Sequence, residues 1–331
     1  MTNLPNINDT WFDEFNSIFT GCVSLVFNVA LMFAIPKVKN YSDTVKRMQI
    51  FSAFLRLLFS ILVIFCSPTL AYIIEAEAVY IVKGGFKLPI QFGQAMLITF
   101  VTFVIFSCMG PPMQFSQVAF IVKKNPRTQK QIVFITTLIS FLVSLTAAFL
   151  ITFGYVPDAS DDKLSENIVY YINGKGKSAY LIASLERYDF NLNRFVADPI
   201  SWACTLYIVG VLVLTTVICL VCWIVIKMEI PRGSKSSNAL KSQKQLNTVL
   251  IVQFTLPFLT IHIPFYLSFL MPLFRVETSN LSIYLPYLFS WCPALNPILV
   301  FIMVKSIREK AFFKFPLKSD SSAMNMFTRA K

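Results

Sequence analysis

Side chains that could perform acid–base or metal chemistry are scarce in this chain and do not cluster. The 331 residues include a single histidine, His262, and no Asp or Glu occurs within the long apolar stretches of the sequence. A metal site requires several converging His, Cys, Asp or Glu ligands, and an acid–base catalyst requires a titratable group within reach of its substrate. The last apolar stretch also lacks a lysine that could bind retinal as a Schiff base. We therefore expect no enzymatic activity, no metal site and no cofactor.

The seven cysteines give no sign of a disulfide framework, because all of them lie inside the apolar stretches. Cys219 and Cys222 form a C-x-x-C pattern in the middle of one stretch. Free cysteine behaves as a small hydrophobic residue when it is buried. We interpret this pair as packing residues rather than as a redox or metal motif.

The elements that must position any site are seven apolar stretches. Hydrophobic residues make up 56% of the chain and charged residues 14%, and roughly 20 apolar residues suffice for a helix to cross a membrane. The stretches lack both the polar stripe of a soluble amphipathic helix and the alternation of a barrel strand. The prediction is an all-α membrane protein, a bundle of seven transmembrane helices, with the spans Phe15 to Pro36, Met48 to Ile74, Leu88 to Val122, Gln131 to Pro157, Pro199 to Ile226, Gln245 to Phe274 and Thr278 to Val304.

Charges in the connecting segments are sorted by sign onto alternate sides of the predicted bundle. The side that includes the carboxyl-terminal tail carries 20 Lys and Arg against 4 acids, and the side that includes the amino terminus carries 8 bases against 13 acids. By the positive-inside rule the amino terminus is outside and the carboxyl terminus is cytosolic. We therefore predict an extracellular segment 1–14, a seven-transmembrane domain 15–304 and a cytosolic tail 305–331. The net charge of +12 then reflects topology and attraction to anionic lipid, and we expect no nucleic acid partner.

Arg56 is the only Asp, Glu, Lys or Arg within the seven predicted spans. A charge inside the membrane is costly and is retained mostly for function. The alternative is that the long side chain reaches back to the cytosolic interface. Both interpretations stay open at the level of sequence.

Prolines stand out in three of the predicted spans. Pro257 and Pro264 flank His262 in the sixth span, Gly110-Pro111-Pro112 lies in the third, and Pro293 and Pro297 lie in the seventh. Proline removes a backbone hydrogen bond and kinks a helix. A kinked sixth helix is able to swing its cytosolic end.

Two segments outside the spans are also informative. The connection from Asp158 to Asp198 is long for a loop and either covers a ligand cavity or is a tolerated insertion. The stretch from Lys305 to Phe315 places basic and aromatic residues at spacings suited to a short helix on the membrane surface, although an ordinary basic stop signal is the alternative.

The last span carries the most specific motif. It reads Trp291-Cys292-Pro293-Ala294-Leu295-Asn296-Pro297-Ile298-Leu299 and is followed by Lys305 and Arg308. This run resembles the Asn-Pro element and basic exit of seven-helix G-protein-coupled receptors. With Leu25-Val26-Phe27-Asn28 in the first span and Gln253, Pro257 and Pro264 in the sixth, the chain most closely resembles the nematode serpentine chemoreceptors of the Str type.

Three features depart from that pattern. The third span ends in Met113-Gln114-Phe115-Ser116-Gln117, where these receptors often have an aromatic-Arg-Tyr element. Val300 stands where many receptors have a tyrosine, and no cysteine is placed for the disulfide that usually ties the third helix to the next extracellular loop. The departures leave open whether the usual activation switch is present.

The resemblance implies an olfactory-type chemosensory receptor in the plasma membrane, specifically the ciliary membrane of a sensory neuron. It would bind a small odorant or pheromone-like molecule from outside and signal through a heterotrimeric G protein. The candidate ligand-binding residues are Gln91, Gln94, Trp202, Tyr207, His262, Tyr266, Tyr284 and Tyr287. The candidate residues for activation or hinge motion are Arg56, Pro257, Pro264, Asn296 and Pro297. The candidate contacts for the G protein or for membrane lipid are Lys123, Lys124, Arg127, Arg232, Lys305 and Arg308.

Two other functional classes remain as alternatives. A decoy or scaffold receptor would bind without signalling, and the absent arginine motif in the third span is compatible with that. A transporter or channel would show an inverted repeat or polar residues lining a path through several helices, and the sequence shows neither.

The topology predicts which glycosylation sequons are used. Asn8 and Asn280 begin sequons on the predicted outer side, whereas Asn40 begins one on the predicted cytosolic side. We expect glycosidase treatment of the chain from eukaryotic cells to change the mobility of wild type, and Asn8→Gln or Asn280→Gln to remove part of that change. Asn40→Gln is the control and should change nothing; glycan at Asn40 would contradict the orientation.

Overall fold

The computed structural model describes residues 10–38, 43–73, 77–82, 89–122, 126–157, 179–189, 194–233, 237–267 and 279–308. Within these ranges the chain forms seven long helices. Their bounds are α1 Thr10–Ala34, α2 Asp43–Cys66, α3 Ile90–Val122, α4 Pro126–Gly154, α5 Pro199–Gly233, α6 Ser237–Pro257 and α7 Ser279–Met303. A π-helical segment, Phe258–His262, continues α6 into residues 263–267, and a short helix α8, Lys305–Arg308, follows α7.

The helices have the length and surface expected of membrane spans. Among the described residues, six are long and apolar enough to cross a bilayer, and α7 contributes a shorter apolar segment, Tyr287–Met303. Large apolar side chains on α4 and α5 point away from the bundle; Phe134 is 68% exposed and Leu206 61% exposed. In water such a surface would drive association, whereas in hydrocarbon it costs nothing. The prediction of a seven-helix membrane bundle is confirmed.

The second helix ends earlier than its apolar run. We predicted a span to Ile74, but α2 ends at Cys66, and Pro68–Ile73 forms strand β1. Ser67 has a φ of 36°, in the left-handed region, and the residue before a proline is sterically disfavoured in the α conformation. The prediction for this boundary was therefore wrong, because it followed hydrophobicity and ignored the proline.

A small antiparallel sheet, absent from the sequence-based prediction, covers one end of the bundle. Strand β1 pairs with β2, Glu77–Val82, and β2 pairs with β3, Tyr180–Ser184. A separate hairpin joins β4, Glu186–Asp189, to β5, Arg194–Ala197. All five residues of β3 are buried, and Leu181 and Ala183 belong to the main apolar core with α3, α4 and α5. The described part of the long connection thus packs onto the helices as a cover.

The start of α5 is fixed to this cover by a side-chain cap. Asp198 accepts hydrogen bonds from the backbone N–H of Ile200, at 3.1 Å, and from the hydroxyl of Ser201, at 3.0 Å. Asp at the N-cap with Pro199 at the first helical position is a strong helix-start signal. The Ser201 hydroxyl also contacts the carbonyl of Gly154 at 2.6 Å. This contact joins the start of α5, which follows the cover directly, to the end of α4.

On the opposite side, α5 and α6 extend beyond the predicted membrane boundaries. We predicted the fifth span to end at Ile226 and the sixth to begin at Gln245, but α5 reaches Gly233 and α6 starts at Ser237. Charged residues mark where the hydrocarbon ends, whereas a helix continues as long as its residues favour it. Lys227 lies 5.2 Å from the centre of the Trp223 ring, a pairing suited to the membrane interface.

Helices α1 and α2 approach each other closely at Gly21 of α1. A β-carbon added at Gly21 would lie 2.3 Å from Cγ1 of Ile64 in α2 and 3.4 Å from the carbonyl oxygen of Ser60. At Gly210 in α5, by contrast, nothing lies within 4 Å. Glycine at position 21 therefore sets the distance between α1 and α2.

We expect Gly21→Val to destabilise the folded bundle by about 1–3 kcal/mol through overpacking and to lower the Tm of the purified chain. Gly210→Val is the matched control and should leave the Tm nearly unchanged, since its side chain faces open space. Ile64→Ala should restore part of the stability in the Gly21→Val background. Equal losses in the two glycine variants would contradict this account of the α1–α2 contact.

Candidate functional site

A polar network centred on Arg56 joins α1, α2 and α7 in the interior of the bundle. The Arg56 side chain is 9% exposed. Its Nε donates to Asn28 Oδ1 at 3.0 Å, and its Nη1 donates to the Ser52 hydroxyl at 2.8 Å. The guanidinium group is therefore buried and bonded between α1 and α2 rather than exposed at a membrane interface.

Asn28 links this network to the proline motif of α7. Its Nδ2 donates to the backbone carbonyl of Pro293 at 3.1 Å. In a regular helix that carbonyl would accept the N–H of residue 297, but Pro297 has no N–H. A free carbonyl in hydrocarbon would cost several kcal/mol, and the Asn28 amide satisfies it. Asn296, beside Pro297, is buried and has its Oδ1 without a hydrogen-bond partner.

Serines extend the network between α1 and α2. The Ser60 hydroxyl donates to the Arg56 carbonyl at 2.7 Å and lies 2.6 Å from the Ser24 hydroxyl, and Asn28 Nδ2 lies 3.0 Å from Ser24 Oγ. Sequence reasoning missed these serines. Their signal was spacing, because Ser24 and Asn28, and likewise Ser52, Arg56 and Ser60, recur every four residues and so share one helix face.

The sixth helix changes its hydrogen-bond pattern at the predicted kink. Immediately after Pro257, residues Phe258–His262 form a π-helical turn in which the N–H of Ile263 bonds to the carbonyl of Phe258. Single π-helical turns are rare and occur frequently at functional sites. Proline at 257 and at 264 deprives the helix of two donors, and the wider turn lies between them.

His262 lies at the end of this π-helical turn and is 1% exposed. Its Nδ1 lies 3.2 Å from the hydroxyl of Thr216 in α5. Its ring packs edge-on against Tyr266 with centroids 6.3 Å apart, and at a tilt against Phe258 at 5.7 Å. His262 therefore joins α5 to the irregular part of α6. Thr216 was not predicted, although it is one of few polar residues in the fifth apolar stretch.

On the amino-terminal side of the π-helical turn, α6 is held to α2 by a pair of amides. Nε2 of Gln253 donates to Oε1 of Gln49 at 3.2 Å, and Nε2 of Gln49 lies 3.3 Å from Oε1 of Gln253. Both side chains are buried. We refer to this contact as the amide pair; it lies on the other side of the π-helical turn from His262.

The end of α3 contacts three neighbouring helices. Gln114 Nε2 donates to Ser52 at 3.2 Å, Phe115 packs edge-on against Phe254 of α6, and Ser116 lies 3.8 Å from the sulfur of Cys222 in α5. Cys219 packs in the same apolar cluster as Phe115. Cys219 and Cys222 therefore contact apolar side chains and, at Cys222, a hydroxyl group. This agrees with their interpretation as packing residues.

The structure brings together only some of the predicted ligand-binding residues. Tyr266 packs on His262, whereas the hydroxyl of Tyr207 donates to the carbonyl of Val143 in α4 at 2.9 Å and so points to a different neighbour. Gln91 is exposed at the start of α3, and Gln94, Trp202 and Tyr287 are half-buried. Tyr284 lies in α7, but only its backbone is described.

Most of the predicted cytosolic contacts and glycosylation sites lie where few details are described. Asn8, Lys123 and Lys124 fall outside the described residues. For Arg127, Arg232, Lys305 and Asn280 only the helical backbone is described. Arg308 of α8 donates from Nη1 to the carbonyl of Ile302 at 2.9 Å, which places a positive charge at the carboxyl end of α7, where the helix dipole favours it.

The fold has a counterpart among solved structures. The crystal structure of squid rhodopsin superposes with a TM-score of 0.63 and 14% sequence identity, covering 100% of this chain and 94% of that one. At this identity the likeness concerns the fold. No curated protein matches the chain significantly in sequence.

The sequence itself matches a family model over residues 13–312, from the start of α1 to beyond α8. That family is described as the serpentine-type seven-transmembrane G-protein-coupled chemoreceptors, Str. The matched region includes the Asn28, Pro257, Pro264 and Asn296-Pro297 motifs and every described helix contact above. The chain belongs to the Str family of serpentine seven-transmembrane G-protein-coupled chemoreceptors.

Proposed function

We propose that the chain is a chemosensory receptor that binds a small molecule from outside the cell and signals through a heterotrimeric G protein. The observation that carries the proposal is the irregular segment of α6, which separates His262 on one side from the amide pair on the other. A change of packing at His262 has a short structural path to the cytosolic half of the same helix. Family membership supports the receptor class.

The location of His262 suits a ligand site under the sheet. On the orientation that the charges favour, the end of the bundle covered by β3 faces outward. Phe265, one turn beyond His262, belongs to the same apolar core as Leu181 of β3. His262 and Tyr266 supply polar atoms within that apolar surrounding, and ligand sites commonly combine an apolar lining with few polar groups. The ligand class is therefore a small, largely apolar molecule with a hydrogen-bonding group.

The amide pair is suited to hold the resting arrangement. A ligand shifts the equilibrium only as far as its affinities for the two arrangements differ. Each of the two neutral hydrogen bonds in the pair contributes about 0.5–1.5 kcal/mol. The pair therefore contributes about 1–3 kcal/mol, which corresponds to a change of roughly 5- to 150-fold in the population of an alternative arrangement. A contact of that strength stabilises the resting bundle and still yields to a ligand of moderate affinity.

A decoy receptor is the second candidate, and one observation favours it. Gln114 and Gln117 lie buried at the end of α3 with unpaired Oε1 atoms, where related receptors often have an arginine. Neutral amides offer a G protein no positive charge at this place. Ligand-evoked change in a second messenger separates the two candidates, since a decoy binds and gives none.

We expect cells expressing the chain with a G protein to respond to part of a panel of volatile and pheromone-like compounds, read as calcium or cyclic-nucleotide imaging. His262→Ala should raise the ligand concentration needed for a half-maximal response by about 10-fold or more. Arg127→Ala should reduce the amplitude of the response. Leu259→Ala is the control, because Leu259 lies in the same helical turn but is 52% exposed on the lipid side. Equal effects of His262→Ala and Leu259→Ala, at equal surface expression, would contradict a role for His262.

We expect Gln49→Ala and Gln253→Ala each to raise basal signalling by roughly 5-fold or more, because each removes the same two hydrogen bonds. The double variant should resemble the single ones, since the contact can be lost only once. Thr255→Ala is the matched control on the exposed face of α6. Unchanged basal signalling in both single variants would contradict the role of the amide pair.

A further inference from the structure

We propose that a monovalent halide-type anion, chloride in the cell, binds beside Arg56 inside the bundle. The first observation is an unused donor. The Nη2 atom of Arg56 is buried and has no hydrogen-bond partner among the described residues, although Nε and Nη1 are both bonded. A guanidinium group carries five N–H donors, and two of them are on this atom.

The second observation is an uncompensated charge. The seven predicted spans contain no Asp or Glu, and the partners of Arg56, Asn28 and Ser52, are neutral. Among the described residues the recorded ion pair joins Lys46 to Asp43 at the surface. A buried charge without a counter-charge costs several kcal/mol, so the folded bundle gains stability from any anion that reaches it.

The third observation concerns the surrounding polar atoms. Gln114 bonds to the same Ser52 hydroxyl as Arg56 and leaves its Oε1 unpaired. Asn296, with its own unpaired Oδ1, lies one helical turn beyond the Pro293 carbonyl that Asn28 contacts. Such buried acceptors are normally satisfied by internal water. Water molecules that donate to these amides and to an anion would complete the hydrogen bonding of both.

The charge and the enclosure select the kind of anion. A single guanidinium group is neutralised by one negative charge, and a divalent anion would leave an excess charge of the opposite sign in a medium of low dielectric constant. The site lies among the buried residues of α1, α2, α3 and α7, so a small anion fits better than an organic one. The donors are N–H and O–H groups, which bind halide by charge-assisted hydrogen bonds.

The test is thermal unfolding of the purified full-length chain in detergent. Unfolding is monitored by the reaction of a thiol-reactive dye with cysteines that are buried in the folded state. Samples contain sodium chloride, sodium bromide or sodium gluconate at equal ionic strength. Because a ligand that binds the folded state raises its stability, we expect the Tm to be higher by about 2 °C or more in the halides, with a saturable dependence on their concentration. An equal Tm in all three salts would overturn the proposal and leave a site filled by water alone.

Three variants assign the effect to Arg56. Arg56→Gln should remove the difference between chloride and gluconate, whereas Arg47→Gln, which alters an exposed arginine of the same helix, should retain it. Asn28→Asp supplies a carboxylate at the position that accepts a hydrogen bond from Arg56 Nε at 3.0 Å. It should reduce the chloride effect in a chain that keeps Arg56, so it decides the question if Arg56→Gln does not fold. A full chloride effect in either Arg56→Gln or Asn28→Asp would overturn the proposal.

Discussion

The lack of hydrogen-bonding partners in hydrocarbon is the constraint on which this structure depends. Every backbone polar group in a membrane-spanning segment must find its partner inside the bundle. Pro297 withholds a donor from the Pro293 carbonyl, Asn28 supplies the replacement, and the same Asn28 accepts a bond from Arg56. One missing N–H in α7 is therefore linked, through two side chains, to the only charge within the spans.

The same constraint explains the irregular part of α6. Pro257 and Pro264 each remove a donor, and the π-helical turn between them gives the helix a locally different hydrogen-bond pattern. Side chains stabilise it from both sides, His262 through Thr216 of α5 and Gln253 through Gln49 of α2. A helix interrupted at this point is better suited to two alternative arrangements than a continuous one, which is what a receptor requires.

Well-packed residues occupy the positions at which the chain departs from the family pattern. Val300 lies in an apolar cluster with Leu31 of α1 and Val249 of α6, and Gln114 bonds to Ser52. These ends of the helices are thus held by apolar contacts and neutral amides. Hydrogen bonds between neutral groups contribute about 1 kcal/mol each, less than bonds to charged groups, so each polar contact at these ends is weak.

The number and type of the spans follow from the amino-acid sequence, because each is apolar all round and only helices or closed barrels satisfy the backbone in lipid. The motifs of α7 and the proline pair of α6 are likewise visible there. The folded bundle was needed to see which polar residues meet, as Gln49 and Gln253 or Asn28 and Pro293 do across more than two hundred residues. It also placed Tyr207 against α4 and ended α2 at the sheet formed by β1, β2 and β3. The physical reason is that helical periodicity marks the faces of a helix, whereas the rotation of each helix toward its neighbours is set by packing between segments distant in the chain.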